Sequence, residues 1–205
     1  MPSREPTVIS GAVEGDVDEA VLRRLVEDAG GIVGPIYGKK GKALLCKRLA
    51  GYNNAARFQP WIVLVDLDED EECAPPFRSR HLPKPADRMC FQVVIRSVEA
   101  WLMADRQRLA RFLGVAESRV PAAPERETDP KRTMVQLATQ SRFRAIREDM
   151  APSPKGRRPV GPAYTSRMIE FALDNETGWR PSVAAQRADS LRRCVECLES
   201  LVRRR

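Results

Sequence analysis

Residues Ile62, Val63, Leu64 and Val65 form an unbroken apolar, mostly β-branched run, and six of the seven positions from Asp66 to Glu72 are carboxylates. An apolar run of this kind marks a strand buried on both faces of a parallel sheet, which places Asp66 at the strand's carboxyl end. Two carboxylates about 4 Å apart repel by roughly 4 kcal/mol at an effective dielectric near 20. A core strand that ends in crowded negative charge therefore predicts a cation at that end.

The rest of the first half alternates. Strands are expected over 7–13, 31–38, 61–68 and 89–96, and helices over 16–30 and 42–52, with a further helix after Ser97, which is placed to cap it. The segment between the third and fourth strands reads as a Pro-rich and Arg-rich loop. Strands separated by helices of this length predict an α/β fold, a mostly parallel Rossmann-like sheet flanked by helices, with ligands bound at the carboxyl ends of the strands. Beyond a linker at 115–130 the pattern is helical, over 131–150, 163–175 and a last helix from Ala184 to Leu201, with a basic loop at 151–162. The expected organisation is an α/β core over 1–115 and a helical C-terminal extension over 116–205, packed on the core.

Several function classes are disfavoured by composition. No run approaches the roughly 18 apolar residues that cross a membrane, and MPSREPTVIS lacks an apolar signal region, so a soluble, cytoplasmic protein without a membrane partner is expected. Five scattered cysteines argue against a disulfide framework, and Cys194 and Cys197 fall on the apolar face of a helical pattern, as core residues do. The single histidine, His81, leaves too few ligands for a zinc site and has no orienting carboxylate beside it for nucleophilic catalysis. The net charge of +7 resides in the second half, where 21 Lys or Arg face 13 Asp or Glu, and such a surface favours a polyanion.

The carboxyl ends of the predicted strands carry acids to one rim: Glu14 after the first, Asp66 and Asp68 after the third, Glu99 after the fourth. Gly15 is expected to ease the turn from strand to helix, and Asp18 falls in that helix's first turn. In an extended chain Asp66 and Asp68 point to the same side. Oxygen-rich clusters of this kind suit Mg²⁺ (or Mn²⁺), with Glu14, Asp18, Asp66, Asp68 and Glu99 as candidate ligands. Glu69, Asp70, Glu71 and Glu72 read instead as a solvated tail or an outer shell. Among the cations, Lys39 and Lys40 of GKKGK either grip a phosphate or form a lysine-rich turn, and Arg96 either binds a phosphate or pairs with Glu99. Lys155, Arg157 and Arg158 either clamp a nucleic-acid backbone or belong to a solvated loop. GPIYGKK is not a Walker A motif, since its glycines are too close and no Ser or Thr follows the lysine.

In that order, VEGDVDEAVL, VLVDLDED, IRSVEAWLMAD, DPKRTMVQL and ADSLRRCVECLESL resemble the Toprim-like (topoisomerase-primase) family called domain of unknown function 4276, over nearly the whole chain. Val17 departs from the hydroxyl residue usual before the second acid. The resemblance implies a Toprim-like fold related to nucleases of the overcoming-lysogenization-defect type. It further implies Mg²⁺-dependent phosphodiester hydrolysis of DNA or RNA, with Glu14, Asp66, Asp68 and Glu99 in catalytic positions. Three tyrosines and the chain length leave no room for the separate nucleophile-bearing domain of a topoisomerase. Relatives resemble components of defence or mobile-element systems beside ATPase genes. A second reading therefore stands: a non-catalytic Toprim-like module that docks on a partner ATPase or on nucleic acid.

Overall fold

A computed structural model describes residues 6–68, 71, 73–153 and 158–203. Four parallel strands, β1 (Val8–Val13), β2 (Ile32–Gly38), β3 (Trp61–Asp66) and β4 (Met89–Val94), form one sheet in the order β2-β1-β3-β4. Helices α1 (Asp16–Asp28) and α2 (Lys42–Ala55) provide the first two crossovers. The α/β, parallel, helix-flanked expectation is met.

Period-two alternation explains how both faces of the sheet are filled. Ile62 and Leu64 of β3, with Cys90 and Val94 of β4, enter one apolar cluster; Trp61, Val63 and Val65, with Met89, Phe91 and Val93, enter the other. The second cluster is closed by α2 and by α3 (Ala74–His81), a helix in the segment read above as a loop. Two prolines at its start hid it: Pro is tolerated in a first turn, where the missing N–H would have no partner anyway.

The first cluster is the larger and runs without a break into the C-terminal half. It takes in α4 (Val98–Ala104), α5 (Arg106–Leu113), α6 (Pro130–Thr139), α7 (Arg144–Met150), α8 (Tyr164–Leu173), the single turn α9 (Pro181–Ala184) and α10 (Asp189–Arg203). The C-terminal helices thus share the core of the sheet, α8 lying against α1 and α10 against β4. The helix expected after Ser97 is broken at Asp105, and Ser97 makes no capping hydrogen bond; Asp105 caps α5 through Arg108 N. The final helix, expected from Ala184, begins only at Asp189 as α10, and Ala184 instead ends the single turn α9.

Cysteine pairing departs from the sequence reading. Cys90 on β4 is joined to Cys197 on α10 as a disulfide, with Cα atoms 6.0 Å apart, while Cys194 is buried in the core as its apolar face predicts. The partners are 107 residues apart, and only the packing of α10 on β4 brings them together.

Asp105 has no solvent exposure and accepts from Arg180 N, Nε and Nη2 at 2.8–3.1 Å, tying α5 to the segment before α9. Removing the cation strands a buried carboxylate, whereas removing the acid frees an Arg180 that already reaches solvent. Arg180→Ala should lower the unfolding free energy in urea by about 3 kcal/mol. A loss below about 1 kcal/mol, the worth of a surface pair, would show that this contact does not anchor the C-terminal half.

Candidate functional site

The order β2-β1-β3-β4 reverses direction between β1 and β3, and in open parallel sheets the crevice at such a switch point is where ligands bind. Glu14 follows β1 and Asp66 ends β3, so the two acids flank that crevice. A cavity of about 750 Å³ opens there, and Glu14, Asp18, Asp66, Asp68 and Glu99 all line it. The five acids expected at one rim are therefore brought together.

Their holders are specific. Glu14 Oε1 accepts from the backbone N–H of Asp66 at 2.8 Å, which bridges the switch point directly. Asp18 is buried in the first turn of α1. Gly15 before it is extended (φ −146°), a conformation open to any residue, so the expected conformational role is absent. Its smallness matters instead, because a Cβ there would stand 3.1 Å from Asp18 Oδ2. Glu99, buried in the first turn of α4, accepts from the hydroxyl of Tyr164 at 3.2 Å. Asp68 no longer follows the strand: it takes a left-handed φ of 52°, is exposed, and pairs with Lys42 at 2.6 Å. Arg96 is also left-handed (φ 65°), and the two residues brace each other, Asp68 N donating to Arg96 O at 3.0 Å and Arg96 Nη1 to Asp68 O at 2.9 Å. Left-handed non-glycine backbone costs on the order of 1–3 kcal/mol and persists where neighbours over-determine it, often at functional sites.

Electrostatics follow from the crowding. Burial, then the charges of Glu99 and Glu14, push Asp18 up to about 7. Burial, then Asp18, Glu99, Glu14 and Asp68, hold Asp66 well above the ordinary carboxylate range. Burial and the Glu99 charge keep the Tyr164 phenol protonated. Among the described residues, Asp18 Oδ1 and Asp66 Oδ1 are both buried without a hydrogen-bond donor, and Ser97 Oγ, in the same cavity lining, is buried without a partner. Such orphaned acceptors are costly unless a proton or a cation meets them. In donor chemistry, all oxygen and mostly carboxylate, the residues fit a hard divalent cation. Among the described residues, no group of three or more His, Cys, Asp or Glu is positioned as it stands to hold a metal ion.

The cations divide. Arg96 lines the cavity and donates to the Asp68 carbonyl, not to Glu99. Lys39 stands outside the cavity lining and pairs with Glu19 at 2.7 Å; Lys40 is exposed and likewise outside it. Arg158 is exposed and does not line the cavity, and Lys155 and Arg157 lie outside the described residues, as do Glu69, Asp70 and Glu72. The sequence reading missed the wall opposite the sheet, where Thr128, Asp129 and Lys131 at the start of α6 face the cavity with Tyr164 and Thr165. Lys131 Nζ lies 5.6 Å from the Tyr164 ring centroid and makes no ion pair among the described residues. The signal available for it was the DPKR stretch, an Asp cap and a first-turn Pro that fix where α6 begins.

No protein-family model, curated protein or solved structure matches the chain.

The Asp18 shift sets a pH dependence for the metal-free protein. A carboxyl raised in the native state holds a proton that the unfolded chain releases, so the contribution is full below about pH 4 and is lost as pH rises through about 7. With chelator present, the melting temperature should fall between about pH 5 and about pH 8, and Asp18→Asn should flatten that fall by raising the value at the upper end. An Asp18→Asn protein less stable than wild type at the upper pH would contradict the assignment.

Proposed function

We propose that the chain is a Mg²⁺- or Mn²⁺-dependent phosphodiester hydrolase, a nuclease of the Toprim type. The observation that carries this reading is the pair of buried oxygens, Asp18 Oδ1 and Asp66 Oδ1, that have no donor among the described residues and lie in one cavity at the sheet's switch point. Asp18, Asp66, Glu14 and Glu99 would hold the ion, with Asp68 at the rim. A bound divalent ion supplies a water of lowered pKa and a Lewis acid for phosphoryl oxygens.

The chain's own residues divide the remaining work. Glu14, fixed by the Asp66 N–H, and Glu99, fixed by the Tyr164 hydroxyl, keep their carboxylates oriented before substrate arrives. Arg96 and Lys131 place positive charge on a cavity whose other charged lining residues are acids, and so suit the non-bridging oxygens of a phosphodiester. Lys131 lies on the helical side and Arg96 on the sheet side, so a phosphate between them would be held from two directions. The supported substrate class is nucleic acid, in keeping with the net charge of +7.

A second reading, a non-catalytic module of the same fold that docks on an ATPase or on nucleic acid, is favoured by one observation: no three acids stand as a ready coordination group among the described residues. Metal binding and cleavage decide between them.

Mg²⁺ or Mn²⁺ binding to the native state alone should raise the melting temperature, by the equivalent of about 2.7 kcal/mol at a hundredfold excess over Kd. Asp66→Ala should abolish that response; an equal response in both proteins would place the ion elsewhere.

Cleavage of DNA and RNA by the purified protein should require divalent metal. Glu14→Gln and Asp68→Asn should reduce it by orders of magnitude with the fold intact, and Lys131→Ala by about a hundredfold or more, the usual effect of removing one preorganised charge donor. Wild-type rates in all three variants would end the nuclease reading, and an inactive wild type would favour the docking module.

A further inference from the structure

We propose that Tyr37 is a base-stacking platform for a single strand of nucleic acid that passes along the 38–42 loop into the acidic cavity; this rests on the phosphodiester reading above. Of the chain's six Tyr and Trp rings, five are buried, and Tyr37 alone is exposed, at 47%. It lies at the end of β2, the edge strand, and stacks on Trp61 with ring centroids 5.6 Å apart and planes 20° from parallel. Trp61 in turn stacks on Tyr52 at 5.3 Å. Two buried rings thus fix the plane of the exposed one, and an aromatic held rigid loses little entropy when a base stacks on it.

The route to the cavity is short. Gly41, which lines the cavity, is four positions beyond Tyr37, and that much chain spans at most about 14 Å. The loop between them is built to stay close to the sheet. Gly38, Lys39 and Gly41 are all left-handed, and a Cβ on Gly38 would stand 2.1 Å from Val13 O. Lys39 N donates to Val13 O and Gly41 N to Glu14 O, so the loop is pinned to the residues that carry the first acid. Lys39 and Lys42 are engaged with Glu19 and Asp68, whereas Lys40 is exposed and makes no ion pair among the described residues. An exposed, rigid aromatic followed by an uncommitted lysine is the pairing that holds a base and its phosphate in strand-tracking grooves. It selects a single strand because a base stacked within a duplex has no free face to offer.

Binding of labelled oligothymidylate and of a blunt duplex, measured by fluorescence anisotropy in chelator, tests the platform without depending on hydrolysis. Wild type should bind the single strand more tightly than the duplex. Tyr37→Ala should weaken single-strand binding by about 5- to 150-fold, the equivalent of one lost base stack, and leave the duplex affinity in place. Tyr37→Phe should restore it. Lys40→Ala should lower the slope of log affinity against log salt by about 0.7. Equal single-strand affinity in wild type and Tyr37→Ala overturns the proposal, as does parallel loss of both affinities, which reports damage to the fold. Failure of the hydrolase reading is seen separately, as absence of metal-dependent cleavage.

Discussion

Each carboxylate added to the carboxyl rim of a parallel sheet raises the free energy of ionising the others, and here Glu14, Asp18, Asp66 and Glu99 converge on one cavity from three strand ends. Such mutual repulsion, in a partly desolvated site, disfavours the metal-free native state. The structure tolerates it because the acids are attached to elements whose positions are set elsewhere. β1 and β3 are fixed by the apolar clusters on both faces, and the start of α4 by Trp101, Leu102 and Met103 in the core. Packing imposes the charge cluster, and the divalent cation proposed above would relieve it.

The same logic explains why the C-terminal helices belong to the core and do not form a separate lobe. α8 packs on α1 and carries Tyr164 to Glu99; α6 begins beside the cavity and carries Lys131. The helices close one face of the sheet and, in doing so, supply the wall of the cavity that the sheet lacks. Ser190 at the start of α10 links these layers, accepting from Trp101 Nε1 at 2.7 Å while its own N–H donates to Glu125 at 3.0 Å.

What could be read from the chain followed its local periodicities. Strand cores such as 62–65, the crossover helices α1 and α2 and the acids at strand ends are properties of short windows, and the structure places them as the pattern predicts. Features set by partners distant in sequence were not legible. α3 is disguised by its prolines, the break at Asp105 depends on Arg180 75 residues away, and the Cys90–Cys197 bond depends on α10 lying on β4. Lys131 was missed for the same reason: nothing in the spacing of a lysine on a C-terminal helix says that it lines the same cavity as the strand-end acids.

Asp68 shows how the two kinds of information meet. Its place two residues after Asp66 suggested a second carboxylate pointing with the first, which holds only while the chain stays extended. The strand ends at Asp66, and hydrogen bonding to the β4 segment through Leu67 N and Asp68 N carries the chain into a left-handed turn that Arg96 mirrors. Asp68 is thereby moved from the buried cluster to its rim, where Lys42 neutralises it and a ligand entering from solvent would meet it first. Had both carboxylates remained on the strand, the buried cluster would hold one more charge with no counterpart. The turn keeps the fifth acid within reach of the cavity while leaving its charge exposed to water, whose high dielectric weakens repulsion between charges.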